Sequence, residues 1–348
     1  MAATMLLSLL VCFLFSAASA FQHHHGIVLP KSTLRSASPP SLLLRMSSGN
    51  LDGDTSGKGL RVTVVGGSGF VGSRVCKILV DCGAEVTSVS KSGQPPAWAE
   101  GEEFRGSVDW KAVDLLSGND AELDAAIGDP DAIVSTVGVV GTDYDELLKG
   151  NGDANAAVFQ SAKRKGFAEA SRKTSRIAYV SVSDEVMACE DNWLPEFFGG
   201  YFEGKRIAEA AALDALGGNP SYLTIVKPSF IYGGDSFGLF PPRVNYAYGS
   251  GVEQLLSFGL IKAVADITPG LIKVALRPPV SVDSVASACA AAALGKEAAL
   301  GKVLDGTKAI NAVTEQPDAT GLSEAFEWTR EGLAKAYEWA RNKIEEPK

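Results

Sequence analysis

Cysteine is scarce and carries no pattern. The 348-residue chain has five, at Cys12, Cys76, Cys82, Cys189 and Cys289, with neither metal-ligand spacing nor a disulfide framework, so they read as buried or free thiols. Positive charge is in deficit. Against 32 Lys and Arg stand 41 Asp and Glu, a formal net charge of −9, which argues against a nucleic-acid partner bound by phosphate neutralisation. Runs long enough to cross a bilayer are missing too: the apolar stretch 5–15, MLLSLLVCFLF, is too short. What is present, 46% hydrophobic residues and 37 glycines, suits a globular, loop-bearing chain of enzyme-like composition. Its length can bury one large α/β core or two modest domains.

The N-terminus is a different kind of sequence. The apolar run ends in SAASA, as a signal-peptide core ends at its cleavage site, although no Lys or Arg precedes it. A cut between Ala20 and Phe21 makes residues 1–20 the signal peptide. Residues 21–50 then carry Ser, Pro, Lys31, Arg35 and Arg45 and no acid, the composition of a transit peptide. The two together resemble the bipartite plastid presequence of algae with secondary plastids, so a plastid address is expected, with the mitochondrion as the alternative. Without these residues the charge becomes 29 − 41 = −12.

After a polar, Gly-rich linker at 51–59, apolar strand-like runs alternate with helical segments. RVTVV (61–65) and EVTSVS (85–90) bracket a helix from Val71 to Asp81, stopped by Gly83. VDWKAV (108–113), AIVSTV (132–137), RIAYVSV (176–182) and YLTIVK (222–227) continue the strands, with helices at 155–166 and 201–215 between them. Short buried strands separated by helices predict a doubly wound α/β fold with a parallel sheet covered on both faces. The nucleotide-binding domain is expected over 60–234, and a Pro- and Gly-rich substrate-side cap with returning elements over 235–313. Within the latter, 280–294 reads as a helix and TKAINAV (307–313) as a late strand. The tail 314–348 reads as an amphipathic helix with an eleven-residue near-repeat, FEWTR and YEWAR. Leu322, Phe326, Leu333, Tyr337 and Ile344 form its stripe. Trp328 and Trp339 lie nearly opposite, packed in a second groove or available to a membrane surface or protein complex.

The chemistry-bearing stretch is VTVVGGSGFVGSRV (62–75), a strand, a glycine turn and a helix start. Gly66 permits the tight turn, Gly69 lets backbone approach a pyrophosphate, and Gly72 lets helix and strand pack closely. Ser68, Phe70 and Val71 complete the loop, and the helix N-terminus offers its amides to phosphates. At the end of the second strand an NAD site usually places an acid for the ribose 2′-hydroxyl. Here stand Ser90, Lys91 and Ser92, a hydroxyl and a cation suited to a 2′-phosphate, so NADP(H) is favoured over NAD(H). Asp114 and Leu115, ending the third strand, could flank the adenine. Tyr201 and Lys205 lie one helical turn apart and emerge from one face.

GGSGFVG (66–72), SVSKSG (88–93), AVDLLS (112–117), NGDAN (151–155), IAYVSVS (177–183), GYFEGKR (200–206), IVKPSFIYG (225–233) and PPVSVDSVA (278–286) together resemble an atypical short-chain dehydrogenase/reductase. The resemblance is to the branch holding the nucleotide-binding accessory subunit of complex I, its plastid relatives and quinone-biosynthesis proteins. It implies a Rossmann fold with Tyr201 as acid/base, Lys205 as its partner and ribose contact, and Ser183, or else Ser181, orienting a substrate carbonyl. It also implies that Val137, Gly138 and Pro228 border the nucleotide, Pro228 following Lys227 where relatives often have Arg. Two functions follow. One is a plastid oxidoreductase acting on an apolar carbonyl or quinone. The other is a non-catalytic, NADP(H)-loaded assembly or stability factor for a membrane-associated redox or quinone-biosynthesis complex. No metal is expected.

Overall fold

The computed structural model of the protein describes residues 57–314, apart from residue 173 and short stretches within 191–197, 235–241 and 258–269. The leader readings for 1–20 and 21–50, most of the 51–59 linker, and the C-terminal helix with Trp328 and Trp339 lie outside the described residues.

Strand β1 (Arg61–Val65) is buried at every residue after Arg61, as a strand covered on both faces must be. It leads through the glycine loop into α1 (Gly72–Asp81) and β2 (Glu85–Ser90). Then follow β3 (Val108–Ala112), α2 (Asp120–Ile127), β4 (Ala132–Ser135) and α3 (Tyr144–Leu148). A π-helical turn, Lys149–Asp153, joins α3 to α4 (Ala154–Arg164). Next come β5 (Arg176–Val180), the single turn α5 (Asp184–Met187), the long helix α6 (Phe198–Ala215) and β6 (Leu223–Lys227). The remainder comprises β7 (Ile231–Tyr232), the hairpin β8 (Gly238–Leu239) and β9 (Pro242–Arg243), α7 (Tyr246–Leu256) and α8 (Gly270–Ala275). The last described elements are β10 (Val280–Ser281), α9 (Val282–Ala293), β11 (Val303–Asp305) and α10 (Gly306–Val313).

Seven strands form one parallel sheet in the order β11-β6-β5-β4-β1-β2-β3. Alternating side chains feed two apolar layers. Val62 and Val64 pack with α1 and α9 through Val75, Leu79, Val285 and Cys289. Val65, Ile133, Ile177 and Tyr179 pack with α2, α4 and α6 through Leu123, Val158, Phe159, Ala208 and Ala212. The sheet is therefore doubly wound, of the Rossmann type. The strand order reverses between β1 and β4, and the crevice at their carboxyl ends is where such sheets take ligands.

One expected element is different. TKAINAV is the helix α10, and the late strand is the three residues just before it, Val303–Asp305, paired with Ile225–Lys227 of β6. The stretch looked strand-like because of Ile310 and Val313. With Ala309 these residues follow helical spacing and pack together on the α9 layer.

Candidate functional site

The glycine loop sits at the switch point for steric reasons. Gly66 has φ +83°, and a Cβ there would come 2.8 Å from Thr136 Oγ1 on the neighbouring strand end. A Cβ at Gly72 would lie 2.3 Å from the Gly66 carbonyl oxygen, so the helix reaches this close only without a side chain. Helix α1 has no side-chain N-cap, whereas α2, α3 and α9 are capped by Asn119, Asp143 and Ser281. A glycine cradle leading into an uncapped helix start fits a dinucleotide pyrophosphate.

Ser68 and Ser90 tie this loop to the end of β2. Ser90 Oγ lies 2.8 Å from Ser68 Oγ and accepts from Gly93 N at 3.1 Å, while Ser68 donates to the Gln94 carbonyl. Both hydroxyl protons are thus engaged, while Lys91, Ser92 and Gln94 are the exposed polar side chains of the turn. Lys91 lies 3.4 Å from Asp114, which also accepts from Leu116 N at 3.1 Å. The Leu116 amide and Lys91 hold the Asp114 carboxyl below its ordinary range. Leu115 is half-buried beside Asp114.

On the far side of the crevice, α6 carries Tyr201 and Lys205. Lys205 is 3% exposed. Its Nζ donates to the Val180 carbonyl at 3.1 Å and stands 5.1 and 5.6 Å from the ring centroids of Tyr179 and Tyr201. A Cβ at Gly138 would come 3.4 Å from the same Nζ, which places the ammonium against the backbone beyond β4. Burial pulls the Lys205 pKa down to about 8, with Glu209 opposing, and burial pushes Tyr201 up to about 12. At neutral pH the phenol is therefore a proton donor and the lysine is mostly cationic. Ser183 is buried and caps α5, its Oγ accepting from Val186 N at 3.4 Å, and its amide donates to Pro228 O at 3.1 Å. Ser181 donates to Glu209 at 2.6 Å. Of the two serines, Ser183 retains a hydroxyl proton for a substrate.

Two asparagines escaped the sequence reading. Asn151 donates to the carbonyls of Val139 (3.0 Å) and Leu147 (2.9 Å) and accepts from Val139 N at 3.2 Å. Asn155 accepts from Ser135 Oγ at 2.5 Å and donates to Asn151 O and Val137 O at 2.8 and 3.3 Å. Together they hold the backbone at 137–139, Asn151 from the π-helical turn, a feature frequent at functional sites, and Asn155 from the start of α4. The available signal was N-x-x-x-N within NGDAN, two amides one turn apart on one helix face. Gly204, inside α6, lies against the π-helical turn too. A Cβ on it would meet Gly152 N at 2.8 Å and Leu148 O at 3.1 Å, so the two helices touch backbone to backbone. Lys227 is also engaged, bonded to Asp184 at 2.8 Å and 3.2 Å from Glu209.

Residues 62–237 match the NAD dependent epimerase/dehydratase family. An uncharacterized chloroplastic protein of Arabidopsis thaliana is 34% identical over 181 residues, 51% of this chain and 52% of its own length. MIOREX complex component 2 of Saccharomyces cerevisiae is 39% identical over 58 residues, 16% of this chain and 21% of its own length. The chain thus spans about half or less of the curated relatives it matches. Among solved structures, Bordetella bronchiseptica WbmF in complex with NAD+ and UDP is 17% identical with a TM-score of 0.48, covering 72% of this chain and 73% of its own. Yeast methylglyoxal/isovaleraldehyde reductase Gre2 complexed with NADPH is 19% identical with a TM-score of 0.46, covering 71% of this chain and 78% of its own.

Proposed function

The chain belongs to the NAD dependent epimerase/dehydratase family, and from that premise we propose that it is an NADP(H)-using oxidoreductase of the plastid acting on a neutral, apolar carbonyl or quinone-type molecule. The observation that carries this reading is the meeting of Lys205 Nζ with Val180 O and the Gly138 backbone, on the helix of Tyr201 and across the crevice from the glycine loop. Branch membership with the complex I nucleotide-binding subunit and its plastid and quinone-biosynthesis relatives is part of the proposal, and the chloroplastic relative supports the address.

Substrate class follows from what surrounds this end of the sheet. Val139, Val140, Tyr144 and Phe230, on loops and helix starts that follow the carboxyl ends of β4 and β6, are 40, 50, 39 and 38% exposed. Apart from Lys205, three cations at this end already have acidic partners: Lys227 pairs with Asp184 and Glu209, and Arg277 and Lys273 with Glu185. Apolar side chains and paired cations favour a neutral substrate over a phosphorylated one.

When bound, NADPH supplies a hydride to the carbonyl carbon. Tyr201 delivers the proton to the carbonyl oxygen, Ser183 donates a hydrogen bond to that oxygen, and the Lys205 ammonium stabilises the phenolate left behind. Lys205 also holds the nicotinamide ribose, and Val137, Gly138 and Pro228 border it. Gly66, Ser68, Gly69, Phe70, Val71 and Gly72 with the start of α1 hold the pyrophosphate. Lys91 and Ser92 meet the 2′-phosphate, and Asp114 and Leu115 the adenine.

The test is nucleotide extraction from the purified protein, titration with NADPH and NADH, and a carbonyl and quinone screen with Y201F alongside. Exchangeable NADPH binding, with turnover lost in Y201F and affinity kept within about threefold, is the expected result; no binding of either nucleotide overturns it. The second reading, a non-catalytic nucleotide-loaded assembly factor, draws on the relative named as a complex component. It predicts stoichiometric NADP(H) that does not exchange, and a Y201F protein that complements fully.

A further inference from the structure

Glu209 has no part in the chemistry above, yet several groups of the site converge on it. It follows Lys205 by one turn of α6 and Tyr201 by two, so the three occupy one helix face. Its Oε1 accepts from Ser181 Oγ at 2.6 Å and lies 3.2 Å from Lys227 Nζ. Ser181 directly follows β5, Lys227 ends β6, and the Ser181 amide donates to Val226 O at 2.8 Å. One carboxylate therefore fastens the ends of two central strands to the helix of Tyr201.

The charges make this more than a strut. Lys205 has as contacts a carbonyl oxygen and two ring faces, all neutral, in a buried place that disfavours its charge. The titratable groups around it are Tyr179 from β5 and Tyr201 and Glu209 from α6; Lys227 from β6 joins the cluster through Glu209 and is shared with Asp184 of α5. Of these, Glu209 is the negative charge on its own helix face one turn away. Lys227 is 7% exposed and works in the opposite sense, but is itself held by Asp184 and Glu209.

We propose that Glu209 is a positioning residue: its carboxylate keeps the Lys205 ammonium protonated at neutral pH and, through Ser181 and Lys227, holds the ends of β5 and β6 against α6. This rests on the reading of Lys205 as a nucleotide contact. It also assigns Ser181 a structural role and so leaves the substrate to Ser183.

The experiment titrates Lys205 directly, by NMR of protein labelled with 13Cε-lysine and assigned with K205M, in wild type, E209Q and K227M. NADPH affinity is measured across the same pH range. E209Q should lower the Lys205 midpoint by about one pH unit, and NADPH affinity should fall about fivefold more at pH 8.5 than at pH 6.5. K227M, which removes a neighbouring positive charge, should raise the midpoint. An E209Q midpoint equal to wild type in a folded protein overturns the proposal. Should E209Q fail to fold, a K227M midpoint that falls overturns it instead. Failure of wild type to bind NADPH would sink the reading of the nucleotide site, while the lysine titration would still decide the role of Glu209.

Discussion

Replacing Lys205 with methionine should make the protein more stable while destroying its nucleotide affinity. The ammonium is 3% exposed, and burial depresses its pKa from 10.5 to about 8. The difference between those values, at about 1.36 kcal/mol per pH unit, is about 3 kcal/mol for holding the charge inside the fold. The unfolded chain keeps its proton up to 10.5 and the folded chain releases it near 8, so the unfolded state binds more protons between them. Stability from this group therefore rises with pH through that window, and below about 8 the full penalty stands. Methionine removes the penalty and leaves the Val180 carbonyl without its donor, a loss of about 1 kcal/mol. K205M should thus gain about 2 kcal/mol at pH 7 in urea unfolding, a gain that disappears as pH approaches about 10.5. Comparing wild type with K205M at each pH cancels the tyrosines, which titrate in both. A gain that stays flat across that pH range, or a loss at pH 7 alone, would refute the argument that burial dominates at Lys205.

Gly204→Ala tests the helix contact. The added Cβ would meet Gly152 N at 2.8 Å, so overpacking should cost about 1–3 kcal/mol despite the better helix propensity of alanine; an unchanged denaturation midpoint would exclude the close approach. Arg277 grips Glu185 with two bonds of 2.6 Å, and this pairing holds the Glu185 carboxyl below its ordinary value of 4.5. Its contribution is present above that value and lost as pH falls through the depressed one, so R277A should lower stability by about 1–2 kcal/mol at pH 7 and flatten the acid limb of a melting profile. At the cofactor end, Asp114 neutralises Lys91 at 3.4 Å in an exposed setting. D114N loses the same adenine contact for both nucleotides but frees Lys91 for the 2′-phosphate, so the NADPH-over-NADH preference should rise up to about fivefold at low salt; an unchanged preference would show that Asp114 acts through the adenine alone.

The sheet was legible wherever its strands were fully buried. RVTVV, RIAYV and LTIVK are buried after at most their first residue, so each announces itself as a short apolar run, whereas the partly exposed EVTSVS was legible from its β-branched residues; the glycine loop followed the first strand at the spacing a pyrophosphate needs. The three-residue β11 did not announce itself. It is a strand because β6 offers Ile225–Lys227 as a partner, and the helix after it borrowed strand-like residues for a core face. The asparagines were visible as a pair, but what they hold, the backbone at 137–139, is set by where β4 ends relative to the π-helical turn.

Local composition alone determined the alternation of strands and helices, the dinucleotide cradle, and the face shared by Tyr201, Lys205 and Glu209, because each depends on residues within a turn or a strand of one another. The tertiary structure decided which groups meet across the chain. Ser181 reaches Glu209 over 28 residues and Lys227 reaches Asp184 over 43. It also committed Ser90 to the glycine loop, and pushed the Tyr201 phenol and the Lys205 ammonium apart from their ordinary titration ranges. Those outcomes hang on strand order and on burial. Both are properties of the packed sheet, where a charge is surrounded by whatever the neighbouring strands bring to it.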